Sequence, residues 1–125
     1  VNDNDKMNVI PIARDYQELG YEIVATEGTA RELNRNGIEA EIIFKAGEGR
    51  PNVVDAVKNG DFSLIINTPL GQRSRYDEAA IGKAAILKGI PIITTLSGAQ
   101  AAVRGLRARQ NFSTMSLQEH YDGVI

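Results

Sequence analysis

Two threonines set around a glycine, Thr26-Glu27-Gly28-Thr29, follow the apolar run Ile23-Val24-Ala25. An apolar strand that stops at a threonine and restarts as a helix leaves hydroxyls and free backbone N–H groups at the carboxyl end of a sheet. The helix dipole favours an anion there. Lys45 leaves the next apolar run on the same edge, Asn67-Thr68 leave a third, and Lys6 precedes the first helix. Cations, hydroxyls and helix N–H groups together suit a phosphate monoester, whose charge near −2 needs more than neutral donors. Each piece also has a plainer reading: Thr26 and Thr29 as a strand end and an N-cap, Lys6 as a solvated surface residue. Their convergence on one edge is what favours the anion site.

The other polar groups add less. Arg50, Arg73 and Arg75 fall in loops of that edge, where arginines are commonly solvated, and Arg104, Arg107 and Arg109 near a helix end are accounted for by the dipole. The pattern Gly47-Glu48-Gly49-Arg50 lacks the third glycine of a dinucleotide fingerprint and follows a later strand. His120 is the only histidine and no cysteine exists, so no metal set can be assembled around it. Among acids, Glu27 lies between the threonines, Glu48 in a glycine loop, and Asp77 three residues after Ser74 as a capping partner. The set is equipped to hold an anion rather than to react with it, and no catalytic residue is assigned.

These groups need strands to end where they stand. Val9, Ile10, Ala13, Tyr16 and Leu19 recur at helical spacing from about Lys6 to Leu19, with Gly20 as the stop and Pro11 early in the helix. Strands are expected at Glu22 to Thr26, Ile38 to Phe44, Phe62 to Asn67 and Ile90 to Thr95, with a last short one at Phe112 to Met115. Helices are expected over Thr29 to Asn36, from Pro51 to Gly60 with Pro51 at the first helical position, from Arg75 behind Ser74, and from Gly98 behind a Ser97/Gln100 box. Strand and helix alternate throughout, which predicts a parallel sheet with helices on both faces and ligands at the carboxyl ends of its strands.

Composition bounds the answer. The 125 residues suit one domain, and 42% apolar with 24% charged residues describes an ordinary globular chain. With 14 basic against 16 acidic side chains the net charge is −2, so no bulk electrostatic attraction to nucleic acid or an anionic membrane exists and any anion must be held locally. No cysteine means no disulfide, which is compatible with a reducing cytoplasm. No apolar run approaches the roughly 20 residues of a membrane span. The chain opens on Val1 and then a polar stretch, as if cut at the end of a strand, which predicts a fragment of a larger protein.

Four motifs together carry a family likeness: Ala25-Thr26-Glu27-Gly28-Thr29-Ala30, Glu48-Gly49-Arg50-Pro51-Asn52, Ile65-Ile66-Asn67-Thr68 and Thr94-Thr95-Leu96-Ser97-Gly98. In order and spacing, over nearly the whole chain, they resemble the C-terminal allosteric domain of the bacterial-type carbamoyl phosphate synthetase large subunit. The resemblance implies the methylglyoxal-synthase-like fold, a three-layer α/β/α arrangement around a five-stranded parallel sheet. The first strand would end near Val1 and so be truncated here. It also implies a single regulatory domain over residues 1–125, part of a cytoplasmic multidomain ATP-dependent ligase that makes carbamoyl phosphate from glutamine-derived ammonia and bicarbonate for pyrimidine and arginine synthesis.

By the matching motifs, a nucleotide monophosphate effector, UMP or IMP, would have its phosphate held by Lys6, Thr26, Gly28 and Thr29, with Lys45 beside it. Asn67 and Thr68 would contact the nucleotide. Thr94 matches a position that helps form an ornithine activator site at the border with a neighbouring catalytic domain. The resemblance implies no cofactor in this domain, ATP with Mg and K ions in the parent, and as partners the catalytic domains and the glutaminase small subunit. Pro69 departs from the enteric pattern, which has a hydroxyl residue two after the asparagine, so a response to UMP is separable from phosphate binding. The alternative is methylglyoxal synthase, which eliminates phosphate from dihydroxyacetone phosphate with an aspartate. An ungapped match puts that base near Arg50 and a second aspartate near Thr68, and arginine in place of a general base should abolish the reaction. A related purine cyclohydrolase domain matches these motifs less well.

Overall fold

A computed structural model describes residues 1, 3–45, 47–68 and 75–124, with side chains for all of these except 3, 75–78 and 111–124. A 3-10 turn at Asp3–Asp5 leads into α1 (Lys6–Glu18), followed by β1 (Ile23–Thr26), α2 (Glu27–Arg35), β2 (Ala40–Ile43) and α3 (Val53–Lys58). β3 (Ile65–Ile66), α4 (Arg75–Lys88), β4 (Ile92–Ile93) and α5 (Leu96–Val124) complete the order. The helical spacing of α1 buries Val9, Ile10, Ile12, Ala13 and Tyr16. Pro11 is accommodated inside it on the exposed side. Gly20, at φ 97°, ends this helix in the left-handed conformation that costs glycine least.

The alternating α/β pattern with parallel strands is as expected. β1 pairs with β2 from Ile23↔Ala40 to Thr26↔Ile43, and β3 with β4 through Ile65↔Ile92 and Ile66↔Ile93. Side-chain alternation assigns the layers around the second pair. Ile65 and Ile92 join Val57 of α3 and Ile81, Ala84 and Ala85 of α4, whereas Leu64, Ile66 and Ile93 join Ile12 and Tyr16 of α1 and Ala99 and Val103 of α5. Helices therefore cover both faces of β3–β4. β1 and β2 rest on a third cluster of Val9, Ile10, Ala13, Ala30, Leu33, Ile38 and Ala40. The two strand pairs form separate sheets rather than one continuous sheet among the described residues.

Several sequence expectations are corrected. Phe112 to Met115 is not a strand: it lies inside α5, which continues to Val124. A helix extends by its own hydrogen bonds and meets no stop signal after Gly105 until Gly123, while a strand needs a neighbouring edge. Ser97 is not the cap of that helix. Thr95 lies two residues after β4, and its Oγ1 accepts the Gly98 N–H at 3.0 Å, starting the helix at Leu96. Pro51 is not the first residue of α3 but precedes its cap, Asn52, whose side chain accepts from the N–H groups of Val54 and Asp55. α2 begins at Glu27 rather than Thr29, because Thr26 itself, still extended at φ −68° and ψ 161°, is the N-cap. The Ser74 cap lies outside the described residues, as does the side chain of Asp77.

Candidate functional site

The turn from β1 into α2 has no intervening residue: Thr26 ends the strand and caps the helix. No side chain caps α2. The Thr26 hydroxyl is thus not consumed by the first-turn N–H groups of Glu27, Gly28 and Thr29, which carry the positive end of the helix dipole. Glu27 turns outward and takes a hydrogen bond from Arg31 at 2.6 Å. Its charge is thereby directed along the outer surface of the helix.

Lys6, in the first turn of α1, reaches this turn. A methyl group built on Gly28 would meet Lys6 Nζ at 2.6 Å and Cε at 3.3 Å, so the ammonium lies directly against the glycine. Glycine at position 28 is what lets a cation approach the α2 backbone so closely. Thr29 is 4% exposed, and its hydroxyl donates to the Val1 carbonyl at 3.4 Å. Val1 is a wall of the site that sequence reasoning missed, and no signal in its residue type marks it.

Lys6, Thr26, Gly28, Thr29, Lys45, Asn67 and Thr68 all line one cavity of about 1010 Å³. The seven residues expected to hold a phosphate and nucleotide therefore line one cavity. Lys45 is positioned by its loop: its N–H donates to Glu48 Oε1 at 2.7 Å, and Val53 N–H reaches back to the Phe44 carbonyl at 2.8 Å. Gly49 lets the Phe44 ring pack under this loop, since a methyl group there would meet the ring at 3.0 Å. Asn67 donates its N–H to the Ile93 carbonyl at 2.9 Å, which fixes the end of β3, and Thr68 is 5% exposed. The far end of the cavity carries Glu22 and Asp61, so its charge runs from basic at the carboxyl edge to acidic at the amino edge. The Lys6 and Lys45 end is the one whose charge is suited to an anion.

Thr94 is not part of this cavity. It lies exposed after β4. Arg50 does not line the cavity either: its guanidinium holds Asp55 through two hydrogen bonds, at 3.2 and 2.7 Å. Those bonds, with the N–H of Asn52 at 2.9 Å, bring the Asp55 carboxyl down to about 2. Arg107 is not explained by a helix C-terminus, because α5 runs on past it; it bonds to Asp15 and Glu18 of α1 at 3.3 and 3.2 Å. Arg73 and Pro69 and the side chains of Arg75 and His120 lie outside the described residues. Among the described residues no group of three or more His, Cys, Asp or Glu could hold a metal, and no helix is long and apolar enough to cross a membrane.

A family model described as the MGS-like domain matches residues 8–94. The chain is 53% identical over 110 residues to the carbamoyl phosphate synthase large chain of Acidobacterium capsulatum, covering 88% of this chain and 10% of that one. It is 46% identical over 121 residues to the large chain of Archaeoglobus fulgidus, covering 95% and 11% respectively. The C-terminal section of the large chain of Methanopyrus kandleri is 47% identical over 107 residues, 85% of this chain and 20% of that section. The chain thus spans about a tenth of the full-length relatives it matches and falls within a C-terminal section where that is a separate chain. With its parallel α/β elements and a family match over most of its length, the chain belongs to the MGS-like domain family, in the form found in carbamoyl phosphate synthase large chains.

Proposed function

We propose that this domain is the allosteric effector module of a carbamoyl phosphate synthase large chain and that it binds a nucleotide monophosphate, UMP or IMP, at the carboxyl ends of its strands. The observation that carries the reading is the Lys6 ammonium set against Gly28 in the first turn of α2. A dianionic phosphate there would meet a cation, the helix dipole and the hydroxyls of Thr26 and Thr29, with Lys45 lining the same cavity. Asn67 and Thr68, on the β3 side of the same cavity, are the groups for the nucleoside.

The chemistry of the parent belongs to other domains. ATP with Mg and K ions, ammonia delivered by a glutaminase small subunit and bicarbonate would be handled there, in the cytoplasm. This domain would bias that activity through its effector. Thr94, exposed after β4, does not line the nucleotide cavity and would contribute to an ornithine site at a domain border. Isothermal titration of the domain with UMP, IMP and inorganic phosphate tests the reading. Saturable binding of at least one nucleotide, competed by phosphate, is expected. No binding of any of the three at sub-millimolar concentration would refute it, and turnover of dihydroxyacetone phosphate would replace it with the enzymatic alternative.

A further inference from the structure

Strand β2 pairs with β1 on one side, and its other edge faces outward. That edge is closed at two places. At Ala40 the side-chain amide of Asn34, in the last turn of α2, takes the backbone N–H at 2.8 Å and donates to the carbonyl at 3.3 Å, making the two bonds that a neighbouring strand would make. At Phe44 the carbonyl accepts the Val53 N–H at 2.8 Å, within an isolated parallel bridge between Phe44 and Asn52. Backbone direction alternates along a strand, so Ile42, between these two, also turns its N–H and carbonyl away from β1. Neither group meets a backbone partner on that side among the described residues. The Ile42 and Phe44 side chains are 55% and 50% exposed. An edge that joins open backbone groups to exposed apolar side chains is a template for a further strand.

The strand that such an edge fits is its own copy. Laid antiparallel about a two-fold axis at Glu41, Ala40 of each copy falls opposite Ile42 of the other, and each of these two pairs can exchange two hydrogen bonds. Asn34 already occupies the Ala40 half of both pairs. With it in place the remaining arrangement is Ile42 opposite Ile42, a single pair. The register that uses both pairs also sets Glu41, which is exposed, directly opposite Glu41 of the second copy, with Cα atoms about 4.5 Å apart, and like charges so placed repel. We propose that Asn34, with Glu41 in support, is a guard that shuts the β2 edge against a second copy of this chain. A single polar side chain thereby replaces a missing neighbour strand at the one residue that would double the hydrogen bonds of self-pairing. The inference concerns the outer edge of β2 and does not depend on which anion the cavity takes.

The test is sedimentation velocity of this chain and its variants over a range of concentrations. Asn34→Ala is expected to associate at a concentration at least about ten-fold lower than the unmodified chain, the scale set by the added hydrogen bonds, with amide exchange at Ile42 slowing as the concentration rises. Adding Glu41→Gln should lower that concentration further. Adding Ile42→Lys instead, a charge at an exposed position of the edge, should return the variant to the behaviour of the unmodified chain. Asn34→Ser, too short to bridge both groups of Ala40, is expected to act like the alanine variant and decides the matter if that variant does not fold. Folded Asn34 variants that associate no more readily than the unmodified chain would overturn the proposal, as would association that Ile42→Lys leaves untouched. Protection of the Ile42 amide that grows with concentration in the unmodified chain would also overturn it, because the edge would then already be in use.

Discussion

Replacing Gly28 by alanine should move stability and anion affinity in opposite directions. The new methyl group would start 2.6 Å from Lys6 Nζ, where ordinary contact begins at about 3.4 Å, so the ammonium must retreat by about 0.8 Å. Its flexible stem allows this without disturbing the α2 backbone. At an effective dielectric of about 20, separating unit charges from about 3.0 to 3.8 Å costs about 1 kcal/mol, and hence about 2 kcal/mol for a phosphate carrying nearly two charges. That is roughly a 30-fold loss of affinity. Alanine in a helix is meanwhile favoured over glycine by about 0.5 to 1 kcal/mol, and in the first turn the lower figure applies, a rise of about 2 °C in Tm. Calorimetry with inorganic phosphate and with UMP, beside thermal unfolding by circular dichroism, reads both. Unchanged phosphate affinity with retained folding would remove Lys6 and Gly28 from the site and refute the reasoning.

Thr26→Ala should weaken nucleotide binding by about 1 to 3 kcal/mol, the scale of a hydrogen bond to a charged group. Because the Thr26 side chain caps nothing in α2, denaturant stability should change by less than the roughly 1 kcal/mol usual for a lost cap; a full capping loss would contradict the geometry. Tyr16→Phe removes the hydroxyl that donates to the Ala99 carbonyl at 3.0 Å between α1 and α5, and should cost about 1 kcal/mol in urea unfolding without a change in m-value. Burial, and then the neighbouring Tyr21, push the Tyr16 phenol above its usual value of 10.0. Its contribution to stability is therefore complete below pH 10 and is lost as pH rises beyond that; in the phenylalanine variant this part of the alkaline decline should vanish. Asp55 gives the opposite case: the Arg50 hydrogen bonds, then the Asn52 N–H, lower it from 3.8 to about 2. Its contribution is complete above pH 3.8 and is lost as pH falls toward 2, so Arg50→Gln should flatten the acid limb of a stability-versus-pH profile between those values. An acid limb identical to that of the parent would remove the pair from the account.

The sequence by itself determined the order of elements up to α5 and the residues brought together in the candidate anion site. Apolar periodicity is a local property, so α1 and the runs at Ile23–Thr26 and Ile65–Ile66 were legible, and the polar groups at strand ends followed from parallel topology alone. Element starts were less legible: Asn52 and Thr95 cap where neighbouring residues looked as suitable, because the side chain that accepts a first-turn N–H is selected by the angle at which the chain leaves the preceding segment, and α2 starts behind Thr26, whose side chain accepts none. The last short strand was misread because four residues at Phe112–Met115 carry strand-like types without any edge to pair with. Only the tertiary structure decided how near the groups come to each other. It laid Lys6 against Gly28 across two helices, turned Arg50 to Asp55 and Arg107 to α1, and left Thr94 outside the cavity. Those distances depend on how helices pack, and packing joins residues far apart in the chain that no local pattern connects.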